Sequence, residues 1–145
     1  MPYKTLEITS AAAVYNQSPK ISHFYKGFSS TDISNVSNKL YDLDIIRQDL
    51  INQFKTRKGE RLMHPTFGTI IWDILMEPMT DAVYDLLSQD ISAICNSDPR
   101  ITPTQINISE FEGGYLVDII VVLVGTDQST ALKLHFNQES GLTVQ

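Results

Sequence analysis

The chain is 145 residues long, with eleven Lys and Arg against seventeen Asp and Glu, a formal charge of −6 and a single cysteine. Its length fits one domain, and the lone Cys95 excludes an internal disulfide and a cysteine-built metal cage. The acidic balance argues against nucleic acid, whose phosphates need a surplus of Lys and Arg, and points to proteins or cationic patches as partners.

No membrane span or leader is expected. The apolar run at residues 11–14 is too short for a signal peptide. The longest apolar stretch, residues 119–125, is far below the roughly 20 residues of a spanning helix. The protein is therefore expected in the cytosol when made.

Residues 1–38 are the least regular part and are expected to form an N-terminal extension. They hold Pro2, Pro19, Gly27 and a polar run at 29–35, and Ser, Thr, Asp and Asn there favour loops and caps. Within them, residues 21–28 are rich in strand-forming aromatics and read as a short extended segment. Residues 39–145 are expected to form one domain.

A helix is predicted over 40–54, because Leu43, Ile46, Leu50 and Phe54 recur at spacings of three, four and four. Gly59 stops it, with Lys55, Arg57 and Lys58 near its negative end. Residues 59–68, with Pro65, read as a loop. Phe67, Ile70, Ile71, Ile74 and Leu75 match the helical template and predict a second helix, ended by Pro78. A third is predicted over 81–96, with Thr80 as N-cap and Asp81 at its positive end. Val83, Leu87, Ile91 and Ile94 form its buried stripe, with Leu86 and Ala93 beside it; Pro99 and Pro103 close it.

The period then changes from 3.6 to 2. Ile106 and Ile108 alternate with Gln105, Asn107 and Ser109; Glu112-Gly113-Gly114 makes a turn. Residues 115–124 form a long apolar strand, covered on both faces for part of its length. A turn at 126–129 leads to Leu132, Leu134 and Phe136 alternating with Lys133 and His135. Residues 142–145 extend this strand or add another after Gly141. Helices followed by hairpins give an α+β fold: two layers, about three helices on a small, mostly antiparallel sheet. The strand after Ser129 is expected at or near a sheet edge, where unpaired N–H and C=O groups can accept a strand from another chain.

Glu60, Asp73, Glu77 and Asp81 are the carboxylates that could flank a sugar bond, but nothing positions any two together, and surface acids are the commoner case. His23, His64 and His135 lie in different segments without the i, i+4 pairing of a metal site, and His135 falls on the outward phase of its strand. A nucleophile pair of Cys95 with a histidine stays open, although a buried, inert cysteine on an amphipathic helix is commoner. Gly59 and Gly68 form no phosphate loop. No catalytic set, cofactor or metal is expected.

Two segments stand out. Residues 56–65 place Arg57, Lys58 and Arg61 within five positions, either a solvated loop with a helix-end charge pattern or a recognition loop. Asp98-Pro99-Arg100-Ile101 is either a helix stop with a stray ion pair, worth under about 1 kcal/mol if exposed, or an arginine held by proline at a protein interface.

Thr56-Arg57-Lys58-Gly59-Glu60-Arg61, then Pro65-Thr66-Phe67-Gly68 opening a helix, a helix ending in Glu77-Pro78, and a helix ending in Asp98-Pro99-Arg100-Ile101 follow one another in order. In that order they resemble the baseplate wedge and sheath-initiator family of contractile phage tails, a relative of the type VI secretion baseplate subunit labelled lysozyme-like. The family has Glu-Pro-Arg where this chain has Asp98, one methylene shorter. The resemblance spans residues 37–136. It implies a fold like the core, or handshake, domain of the tail sheath protein, and a structural, non-enzymatic subunit in the wedges of a six-fold baseplate. Such a subunit belongs to the virion tail and is assembled in the host cytoplasm.

By the same resemblance, Asp98, Pro99 and Arg100 dock on the helical core bundle of other wedge proteins. Arg57, Gly59, Arg61, Pro65, Phe67 and Gly68 belong to the family loop. Leu132, Lys133, Leu134, His135 and Phe136 lie in a strand facing the tail sheath protein, whose first ring it initiates by strand exchange. The implied partners are wedge and sheath proteins, with no nucleic acid and no membrane. The rival reading is a peptidoglycan hydrolase of the baseplate, which the lysozyme-like label invites.

Overall fold

A computed structural model describes residues 23–29 and 39–145. The expectations for the rest of the N-terminal extension lie outside the described residues. Strands β1 (Lys26–Phe28) and β2 (Lys39–Tyr41) form an antiparallel ribbon, and three helices follow: α1 (Leu43–Lys55), α2 (Ile71–Ile74) and α3 (Asp81–Ser97). Then come β3 (Ile101–Phe111), β4 (Gly114–Leu123), β5 (Ser129–Asn137) and β6 (Gly141–Val144), an antiparallel meander in the order β3-β4-β5-β6. The expected α+β class is the observed one.

Helix α1 buries Ile46, Leu50 and Phe54 of the predicted stripe, while Leu43, its first residue, is only half-buried against the core. It begins later than predicted, because Leu40 pairs in β2 and Asp42, at φ 46°, turns the chain between strand and helix. Helix α3 matches closely. Thr80 caps it, Oγ1 accepting from the Val83 amide at 3.3 Å, and Val83, Leu87, Ile91 and Ile94 are buried. Leu86 and Ala93, expected beside that stripe, are exposed instead. The buried arc leans the other way, toward Ile91 and Cys95, at 100° per residue.

The second predicted helix shrinks to the single turn of α2, and Phe67 lies outside it. Gly68 sits at φ 113°, where a side chain is strained, and a Cβ there would lie 2.6 Å from the Thr56 carbonyl oxygen. Thr69 continues extended and bridges to Arg57. The helical spacing of apolar residues arises because Ile71 and Leu75 enter the core from one turn, whereas Phe67 packs on the loop itself.

Strand β3 starts at Ile101, so Pro103 is inside a strand and does not act as a helix terminator. It sits on an edge strand, where a missing N–H is harmless, and the register shifts between Pro103 and Gln105. Tyr115, Val117, Ile119, Val121 and Leu123 of β4 face the helices and are buried, while the alternate residues are half-covered. Leu132, Leu134 and Phe136 of β5 are buried as expected, with Lys133 exposed. β5 is one strand in from the edge: β6 covers Leu134–Asn137, and among the described residues the sheet edges are β3 and β6.

The core lies between α1, α3 and the inner sheet face. Phe136 meets Phe54 and Trp72 edge-on, at centroid distances of 6.2 and 5.3 Å. Each fully buried Leu, Ile or Phe there stabilises the fold by about 1.5–3 kcal/mol. The Tyr115 hydroxyl donates to carbonyls at Ile74 and Glu77, tying the end of α2 to β4.

Candidate protein-docking groove

Asp98 ends α3 in an extended conformation, as the residue before a proline is expected to be. Its Oδ1 accepts from the Arg100 backbone amide at 3.0 Å and from Nε at 2.9 Å. Its Oδ2 accepts from Nη2 at 2.6 Å. Nη2 also reaches Asp49 Oδ2 on α1 at 2.8 Å, and the Tyr25 ring stands 5.7 Å from the guanidinium carbon. One carboxylate thus holds both the backbone and the side chain of Arg100 across Pro99.

Burial acts to raise the Asp98 carboxyl, but the Arg100 hydrogen bonds outweigh it and hold it below the ordinary carboxylate range. The bond to Asp98 in turn raises the Arg100 guanidinium, against the effect of burial. The pair stays ionised at neutral pH.

The family loop is stiffened from inside. The Glu60 carboxylate accepts from the Arg57 amide at 3.0 Å, and Gly59 N–H donates to the Pro65 carbonyl at 2.9 Å. Lys58 N–H and the Thr69 carbonyl close its base at 3.1 Å. Below this base lies Asp90 of α3, with its side chain buried. It accepts from Thr69 Oγ1 at 2.8 Å and the Ile70 amide at 3.1 Å, and pairs with Lys58 Nζ at 3.1 Å. Arg61 stacks over Phe67 at 4.0 Å, and Arg57 pairs with Asp73.

Two separate sequence signals meet here. Arg61 and Phe67 from the loop, Asp98, Pro99 and Arg100 from the end of α3, and Asp49 and Gln53 from α1 line one groove of about 580 Å³. Arg57 and Gly59 lie on the other limb of the loop, away from that lining, and Gly68 seats the loop against Thr56. The β5 residues do not join the groove. Leu132, Leu134 and Phe136 are core, and His135 is half-buried on the outer sheet face, its ring 5.6 Å from that of Phe111. Sequence reasoning missed Asp49, Tyr25 and Asp90, which act across long stretches of chain and leave no local signal.

Two of the four candidate carboxylates are engaged in holding the loop. Glu60 braces the loop and Asp73 holds Arg57. Burial, then the nearby Asp98 charge, push the Cys95 thiol up to about 11, so it is protonated at neutral pH and a poor nucleophile. Among the described residues, no group of three or more His, Cys, Asp and Glu is placed to hold a metal ion, and no helix is long and apolar enough to cross a membrane.

Fold and groove together define a small two-layer α+β domain carrying a rigid, charge-balanced recess at one end of its helices. Residues 41–128 match the family described as baseplate wedge protein gp25, and the chain belongs to that family. It is 38% identical over 93 residues to the baseplate wedge protein gp25 of Enterobacteria phage T4, covering 61% of this chain and 70% of that protein. Among solved structures it is similar to a Geobacter sulfurreducens protein provisionally described as a tail lysozyme. That likeness has 25% identity and a TM-score of 0.53, over 66% of this chain and 95% of the other. A chain of the six-fold symmetrised anti-feeding prophage baseplate shares the fold, with a TM-score of 0.59 at 18% identity, over 70% of this chain and 87% of that one. The family expected from the motifs is thus the family found.

Proposed function

We propose that the chain is a structural, non-enzymatic wedge subunit of a contractile-tail baseplate, housed in the virion tail. It docks on neighbouring wedge proteins through the Asp98–Arg100 groove and offers a sheet edge to the first ring of sheath. Residues 39–145 serve as the wedge domain, and residues 1–38 as an extension to it. The observation that carries the docking reading is the convergence of Arg61, Phe67, Asp98, Pro99 and Arg100 on one recess. A preorganised arginine in a recess is the kind of anchor that dominates interface energies.

For the sheath, the edge on offer is β6 with the first residues of β5 beyond it. β3 is the poorer template, since Pro103 and the register shift interrupt its outer edge. A strand added at β6 gains main-chain hydrogen bonds, and its alternating side chains set register. A pull-down from an assembling tail tests the whole reading. Recovery of wedge and sheath proteins with the tagged chain is expected; recovery of neither contradicts it.

The name of the Geobacter relative favours a second reading, a peptidoglycan hydrolase. Purified cell walls incubated with the protein are expected to stay turbid. Clearing that Glu60→Gln or Glu77→Gln abolishes establishes the hydrolase instead.

A further inference from the structure

The ribbon at the front of the described chain carries a surface of its own, and β1 lies wholly ahead of the family match. Its register is Lys26↔Tyr41, Gly27↔Leu40 and Phe28↔Lys39. Successive strand side chains point to opposite faces. Gly27 faces α1 so closely that a Cβ would fall 1.7 Å from the end of the Ile45 side chain. Lys26, Phe28, Lys39 and Tyr41 therefore share the face turned away from the helix.

Asp42 clasps this ribbon. Oδ1 accepts from the Phe24 and Tyr25 amides at 2.8 and 2.9 Å, and Oδ2 meets His23 Nδ1 at 2.9 Å. Its own amide donates to the Tyr25 carbonyl at 3.0 Å. His23 stacks on Tyr41 with centroids 4.3 Å apart. Asp42 does this at φ 46°, a conformation that non-glycine residues keep only where their surroundings hold them in it.

The outward face is chemically distinct. Phe28 is 74% exposed. Lys26 and Lys39 are exposed, and neither has a carboxylate partner among the described residues. Between them lies a shallow hollow of about 300 Å³. This is a cationic, aromatic patch on a chain of net charge −6.

We propose that this face docks an acidic segment of a partner protein, with carboxylates on Lys26 and Lys39 and an apolar side chain against Phe28 and Tyr41. Charge complementarity selects that partner. The rest of the acidic molecule repels such a segment, so the ribbon is where it can settle. Lysines among aromatics also suit single-stranded nucleic acid, but its continuous phosphate backbone needs more cations than two lysines, whereas a short acidic segment needs only the ribbon. The lining of this face shares no residue with that of the groove, which lies between α1, the family loop and the end of α3, although Tyr25, held by Asp42, stands beside Arg100.

The test is an NMR titration of the ¹⁵N-labelled full chain with hexaglutamate at low salt. Amide shifts are expected at 26–28 and 39–41, fading at about 0.3 M salt as screening shortens. The Lys26→Glu/Lys39→Glu variant, whose exposed substitutions leave the core untouched, is expected to bind roughly ten-fold more weakly with the remaining spectrum unchanged. Asp42→Asn is expected to weaken binding while both lysines remain. Four results overturn the proposal: no shifts at millimolar peptide, shifts centred elsewhere, equal binding by the double variant, or stronger binding of oligothymidylate than of hexaglutamate.

Discussion

Arg100 illustrates how few atoms fix the geometry of one arginine. Asp98 holds its backbone and Nε, Asp49 holds Nη2, and Tyr25 flanks the guanidinium. The Asp98 carboxyl is depressed in the folded state, and so is that of Asp42, first through its hydrogen bond from the Tyr25 amide. A depressed carboxyl stabilises the fold above its unfolded pKa, near 3.9, and that contribution drains as pH falls through the lower folded value. Stability measured by urea is therefore expected to be flat near neutrality and to fall below about pH 4, less steeply in Asp98→Asn. An equal acid slope in the variant refutes the assignment. Asp90→Ala is expected to lose about 3 kcal/mol in the same assay, because it leaves Thr69 Oγ1 and the Ile70 amide without their acceptor and removes the ion pair of solvent-exposed Lys58. The Asp98–Arg100 contact was legible in the sequence because it spans two residues. The Asp49 and Asp90 contacts were not, since their partners lie 51 and 32 residues away in the chain.

Among the elements, periodicity worked where one face was buried by one layer. α3 and β4 follow their patterns, and Thr80→Ala is expected to lower stability by about 1 kcal/mol through the lost cap, read as a shift of the urea midpoint. α2 shows the converse. Its apolar spacing was helical, but Gly68 and the Thr56–Thr69 hydrogen bond claim the preceding residues for a loop. Pro103 misled in the same way, because an edge strand accommodates a proline that ends a helix elsewhere. The terminal strands separate stability from assembly. β5 contributes three fully buried side chains, so deletion from residue 130 onward is expected to unfold the sheet. Deleting residues 141–145 removes only half-buried Leu142 and Val144, and is expected to leave a folded protein that fails to start sheath polymerisation. Normal sheath growth on the shorter deletion, followed by electron microscopy, counts against the β6 edge.

At the scale of the whole molecule, the acidic charge and lone cysteine bounded the protein only loosely. The structure divides that charge: the groove sets Arg61 and Arg100 against Asp49 and Asp98, and the ribbon is locally basic. The α+β class was readable because helical and strand periods occupy separate halves of the chain. The groove was not, because it forms only when the family loop and the end of α3 meet across α1. Under the proposed function, this groove docks the subunit in its wedge. That docking is tested most directly by counting the subunit in assembled baseplates carrying Arg100→Ala, with Arg100→Lys beside it and the fold of each checked by circular dichroism. A folded Arg100→Ala protein is expected to be absent from wedges, and lysine, which keeps the charge without the planar fork, to cause a partial loss. Incorporation of folded Arg100→Ala at the wild-type level contradicts that docking.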